Sequence, residues 1–296
     1  MARVLEVGKG FEIKVPLAYE ELKKWAEKTI TEIVSKYPKA KKMWELLRND
    51  PEVNADWDIA EYLTVAKMNI NDHGEVHALI TAANALKMLQ ILLKHGILPD
   101  IMKERAGDED DAHLIILAGA LLHDIGNLVH RDYHHISGVC LAIPILNRLL
   151  PQIYEDEEIM YEIRNHILHT IFAHEYKVED FTLEAGIVGV ADGTDMTKGR
   201  GRIAVEWGKI DIHAISALAV EKVEVTEGEY RPIRIHIKLS NSAGLFQIEK
   251  HLAVKIANSP LRDLIEVIAE AEPPEADSDK RIIHRIMVVD GKIKPF

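Results

Sequence analysis

The chain has 296 residues, 47% hydrophobic and 28% charged, the balance of a globular protein that buries a core. It exceeds one typical domain, so one large domain plus a small one is expected. The net charge of −12 lacks the basic footprint of a general nucleic-acid or membrane-surface binder.

The first residues, Met-Ala-Arg-Val-Leu-Glu-Val-Gly, lack the apolar segment of a signal peptide, and no apolar run approaching the roughly 18 residues that span a bilayer is read from the sequence. A soluble, cytoplasmic protein is the expectation. Residues 1–15 alternate weakly and predict a short strand or an extended arm. Leu22, Trp25, Ala26, Ile30, Ile33 and Val34 recur at threes and fours, which predicts an amphipathic helix over 17–37, ended by Pro38. Short helices are expected over 39–48 and 56–68. Asn71-Asp72-His73-Gly74 reads as a turn, with Asp72 the candidate cap of a helix over 75–94 and Glu75 its capping-box partner.

After a loop of mixed charge over 96–111, Asp111 is the candidate cap of an apolar helix over 112–124. A helix over 134–149 follows, kinked at Pro144 and stopped by Pro151. It carries the one cysteine, Cys140, whose flanks read as core. A single cysteine excludes an internal disulfide and a cysteine-built zinc site, and a reducing compartment fits. Helices over 155–172 and 182–192 complete an all-helical region. Beyond about residue 206 the pattern becomes strand, strand, helix, strand, strand: 223–225, 233–239, 245–257, 264–269 and 282–289. The fold class predicted is therefore mainly α, an all-helical domain followed by a small α+β domain. The expected division is an N-terminal helical segment (1–70), a helical core (71–205) and a regulatory or oligomerisation domain (206–296), whose strand edges make a homodimer conceivable.

Histidine is the discriminating residue. There are 15, and 11 of them fall between His73 and His174. In chain order the candidate ligands are His77, the pair His123-Asp124, His134 or His135, then His166, His169 or His174, and Asp192. His135 points about 100° from His134 on a helix, which disfavours it. The stretch Ile-Leu-His-Thr-Ile-Phe-Ala-His favours His169 and His174, with His166 packed nearby. His213, His236, His251 and His284 have no partners close in sequence and read as surface or core. Imidazole and carboxylate without thiolate suit one or two divalent transition-metal ions, iron, manganese, nickel or zinc, with magnesium possible.

This order, H…HD…D, with His-Asp-Ile-Gly-Asn at 123–127 and Val-Ala-Asp-Gly at 190–193, resembles the HD superfamily of metal-dependent phosphohydrolases over about residues 70–205. The resemblance implies His77, His123, Asp124, His134 and Asp192 as ligands, with Asp124 bridging two ions. The His-His dyad and Gly-Tyr-Pro signature of the HD-GYP branch are absent after His166. Lys198, Arg200 and Arg202, in the Gly-rich stretch after Asp192, are candidate phosphate binders, as is Arg131. His130 is the candidate acid for the leaving oxygen. The expected activity is hydrolysis of a nucleotide or other small phosphoester, as a phosphomonoesterase or phosphodiesterase. The alternatives are a di-iron oxygenase of the same fold and a non-catalytic sensor using the Asn241-Ser242-Ala243-Gly244 turn.

Overall fold

The computed structural model describes residues 2–7, 11–201, 212–271, 285–289 and 292–295. An antiparallel hairpin, β1 (Ala2–Val7) and β2 (Phe11–Pro16), runs directly into α1 (Leu17–Val34). The next helices, α2 (Pro38–Arg48) and α3 (Pro51–Glu61), each open on a proline, where the missing N–H has no helical partner to lose. Asp50 caps α3 through the amides of Glu52 and Val53, so this helix begins earlier than predicted; a π turn, Tyr62–Lys67, prolongs it.

The helix α4 (Glu75–Lys94), the single turn α5 (Asp100–Lys103) and α6 (Glu109–Leu122) follow. Every residue of α6 from Asp111 to Leu122 is buried, which is why it is apolar on all sides. By length and composition α4 could cross a membrane, which corrects the expectation that no such run exists; 83% of that window is buried inside the fold, as for a central core helix. Two caps differ from prediction. Asp108, not Asp111, caps α6, and Asp111 completes the capping box by accepting from the Asp108 amide. Asp72 does not cap α4, whose flanking residue is Gly74; its carboxylate accepts from the Gly74 amide at 2.7 Å and the Tyr19 hydroxyl at 3.0 Å.

Three helices close the bundle: α7 (His134–Leu149), α8 (Glu157–Ala173) and α9 (Leu183–Thr194). Around α6 pack α2, α4, α8 and α9, while α7 lies against α8. Cys140 on α7 is exposed, against the expectation of a core position. Arg202 and the expected boundary near residue 206 lie outside the described residues.

The C-terminal part is the predicted α+β unit. After α10 (Ile212–Leu218) come β3 (Val220–Glu227) and β4 (Ile233–Leu239). Then α11 (Leu245–Gln247), a π turn (Ile248–Leu252) and α12 (Ala253–Ala257) lead to β5 (Ile265–Ala271), β6 (Arg285–Val289) and β7 (Lys292–Pro295). The sheet order is β3-β4-β5-β6-β7; β4 and β5 are parallel across the helical connection, and the other neighbours are antiparallel. Ile233, Ile235, Ile237 and Leu239 alternate into its core. The unit docks on the helical domain through β3 against α4 and α12 against α9.

Candidate metal centre

Five helix ends and one turn converge. His123 ends α6, and Asp124 begins the tight turn Ile125–Leu128. At Gly126 a Cβ would lie 1.8 Å from the His134 carbonyl oxygen, so only glycine lets the start of α7 come this close. That approach brings His134 opposite His123 and Asp124. His77 arrives from the first turn of α4, His174 from the end of α8 and Asp192 from the last turn of α9.

The side chains form two facing pairs. His77 Nε2 and His123 Nε2 are 3.1 Å apart, and His134 Nε2 and His174 Nε2 are 3.0 Å apart. Asp124 joins the pairs: Oδ2 is 3.3 Å from the Nε2 of both His77 and His123, and Oδ1 is 3.3 Å from that of His134 and 3.6 Å from that of His174. Asp192 Oδ1 adds to the first pair, 3.0 Å from His77 Nε2 and 3.8 Å from His123 Nε2. Asp124, which the sequence reading made a bridge between two ions, lies between the two pairs with one oxygen toward each.

Protons on the far side of each ring decide what the near side offers. The Nδ1 atoms of His123, His134 and His174 meet the carbonyl oxygens of Ala120, Arg131 and Ile171 at 2.7, 3.0 and 2.6 Å. A carbonyl only accepts, so each Nδ1 carries a proton and each ring turns its Nε2 inward. Burial, above all, pushes His174 down to about 3, against the Asp124 carboxylate, so it does not supply a second proton. Nitrogens facing each other at such distances are placed to share one cation. Two nitrogens bound to one ion at roughly 2.1 Å and at right angles would be about 3 Å apart, so the donor set fits divalent transition metals.

The carboxylates are equally prepared. Burial pushes Asp124 up, but the surrounding imidazoles of His123, His73 and His134 hold it well below the usual range. Asp192 is held down against burial by Lys255 and the imidazoles of His77 and His123. Around His77, burial and Arg200 act downward, and the carboxylates of Asp124, Asp192 and Asp195 outweigh them and raise it to about 10.

A second layer, which the sequence reading did not identify, stands behind His77. Asp195 Oδ2 accepts from His77 Nδ1 at 2.8 Å and from the Tyr19 hydroxyl at 3.1 Å. Asp195 lies one helical turn past Asp192, a spacing that could have singled it out. Arg200 is buried here, and its guanidinium donates to the backbone oxygens of Asp72 and Asp195. It therefore ties the 195–200 segment down instead of waiting for phosphate. Lys198 is paired with Glu221 and does not line the cavity.

The centre opens into a cavity of about 320 Å³ lined, among others, by His73, Asp124, Arg131, His134, His174, Tyr176, Asp192, Lys255 and Arg200. Arg131 donates to Asn127 Oδ1 at 3.1 Å and sits 3.6 Å from Asp124 Oδ1, as expected of a residue facing the site. Three expectations fail. His169 stacks on Phe181 and belongs to none of the ligand groups, because the helical turn that presents His174 inward turns residue 169 away. His130 is exposed, with Nδ1 accepting from the Asp132 amide, and does not line the cavity. His213 and His251, read as partnerless, line the cavity with Gln247 and lie 3.3 Å apart, Nδ1 to Nε2. These residues, and Lys255, come from the C-terminal domain.

The HD domain family matches residues 75–197, a span that holds all six converging side chains. The uncharacterized protein MJ1020 of Methanocaldococcus jannaschii is 44% identical over 228 residues, 77% of this chain and 87% of that protein. No solved structure matches.

Proposed function

Because the chain belongs to the HD superfamily of metal-dependent phosphohydrolases, we propose that it hydrolyses a small phosphoester, with a nucleotide the expected class, at a pair of divalent metal ions. The observation that supports this reading is the two inward-facing imidazole pairs joined by the oxygens of Asp124. His77, His123, Asp124 and Asp192 would hold one ion, and His134, His174 and Asp124 the other. Ions bound there supply Lewis-acid polarisation and make water more acidic. Nitrogen-rich ligation suits iron, manganese, nickel or zinc better than magnesium, which prefers oxygen.

The chain's own residues then divide the remaining work. Arg131 presents a guanidinium fork at the cavity beside Asp124, suited to a phosphate oxygen. With Lys198 and Arg200 committed elsewhere, it carries the phosphate argument. His73 donates through Nδ1 to the Asn71 carbonyl at 2.6 Å, which leaves Nε2 as its acceptor in the cavity wall. Burial first, and then Arg131, hold His73 well below its ordinary pKa. It is the group placed to take a proton from a water or a substrate hydroxyl.

The test is metal analysis of the purified chain together with a phosphoester panel. The unaltered chain should carry about two divalent ions and turn over at least one phosphoester, and Asp124→Ala should lose both. Full turnover in Asp124→Ala, or turnover that requires dioxygen, would overturn the proposal.

A further inference from the structure

The C-terminal domain reaches the metal centre through one side chain. Lys255, on α12, donates to Asp192 Oδ2 and to the His174 carbonyl oxygen, both at 2.6 Å. Its side chain is only 10% exposed. One ammonium thus grips a ligand residue of each imidazole pair, from 63 and 81 positions away in sequence. We propose that Lys255 is the positioning residue of the Asp192 ligand, which makes the C-terminal domain a constituent of the metal centre. The proposal rests on the metal-site reading above and concerns neither substrate nor turnover.

Two observations converge on it. First, Asp192 has two equivalent oxygens and a rotatable carboxylate. With Oδ2 held by Lys255, Oδ1 is the oxygen left to face His77 and His123. A carboxylate anchored in this way offers a fixed single oxygen to an ion, and such anchors typically account for a 10–100-fold difference in metal affinity. Second, α9 is cut to receive the lysine. A Cβ on Gly193, next to the ligand Asp192, would lie 3.1 Å from Lys255 Cδ and 3.3 Å from Leu252 Cδ1. Two turns earlier on the same helix, a Cβ on Gly186 would lie 3.1 Å from Pro260 Cδ. The bare edge of α9 lets the segment 252–260 lie directly against it, and the lysine stem runs over that edge to Asp192.

Two opposing effects of the ammonium set the sign of the test. Its charge repels a divalent ion, and its hydrogen bond orients a ligand for that ion. Positioning predicts that Lys255→Met weakens one of the two metal equivalents by 10–100-fold, while Lys255→Arg, which keeps a donor within reach of Oδ2, stays within a few-fold of the unaltered chain. Metal stoichiometry is read by equilibrium dialysis against Mn2+ with elemental counting, on full-length protein whose fold is checked by circular dichroism. Gly193→Ala is the second arm: it displaces the lysine stem without touching the lysine and should weaken the same equivalent. Tighter Mn2+ binding in Lys255→Met would mean that repulsion dominates and would overturn the proposal. So would a variant that melts earlier but binds metal unchanged, since that is a docking residue. If Lys255→Met does not fold, unchanged binding by Gly193→Ala overturns the proposal. An unaltered chain that binds no Mn2+ would instead refute the metal site itself, and phosphoester turnover does not enter the readout.

Discussion

Asp124 bridges the imidazole pairs, but Asp195 decides whether His77 can take part. His77 has carboxylates on both sides, and its Nε2 is available to a metal only while its proton stays on Nδ1. Asp195, buried and accepting from His77 Nδ1, secures that tautomer, as a carboxylate behind a ligand histidine commonly does. Asp195→Asn should therefore weaken metal binding 10–100-fold with little change of fold, read by competition with a chromophoric chelator. Tyr19 stands behind Asp195 in turn. Burial first, and then Asp195 and Asp72, push its hydroxyl well above the usual range, so it remains a donor. Tyr19→Phe would leave two buried carboxylates one donor short and should cost about 1–3 kcal/mol, measured by urea unfolding at pH 7. A smaller loss of metal affinity should accompany it, because the Asp195 to His77 bond survives.

The helices were legible in the sequence because each buries one or more faces, and burial imposes spacing at threes and fours. Their ends were less so. Asp108, Asp110 and Asp111 all offer capping oxygens within one turn, and only tertiary partners decide among them: Lys39 and Tyr154 claim Asp111 as well. β7 was missed because a four-residue edge strand carries too little alternation to register. Connections hold information that periodicity lacks altogether. Between α8 and α9, Asp180 is buried, its Oδ1 has no hydrogen-bond partner among the described residues, and burial pushes the carboxyl up to about 7 against the pull of Lys255. In the unfolded chain an Asp titrates near 3.9. The folded state thus prefers the protonated acid; this contribution is complete below about pH 4 and is lost as pH rises through about 7. Asp180→Asn mimics the protonated form, so thermal melts should show it matching the parent at pH 4 and exceeding it at pH 8, by on the order of 4 kcal/mol. Equal stability at both values would show that Asp180 does not carry this charge penalty.

At the scale of the molecule, the ligands found from sequence share one property: each lies in a recognisable ordered motif within a single helical domain. What the sequence could not show are contacts between distant segments of unrelated pattern. Nothing near Lys255 predicts Asp192, nothing near Tyr19 predicts Asp195, and the charges of Lys198 and Arg200 do not announce Glu221 and the Asp72 carbonyl as partners. Tyr19, on α1, and Lys255, on α12, therefore reach the site from outside the matched family span. This arrangement couples metal binding to the stability of the whole chain. Without a cation, four Nε2 atoms and two carboxylates crowd one buried volume; with it they become ligands, and binding to the folded state alone adds RT ln(1 + [L]/Kd). At a free metal concentration 100 times Kd the gain is about 2.7 kcal/mol, or roughly 5 °C in Tm for a chain of this size. Melts in EDTA and in Mn2+ should differ by that much, and the difference should vanish in Asp124→Ala, where the two pairs lose their common ligand. Superimposable melts of the unaltered chain under the two conditions would mean that the converging imidazoles hold no metal.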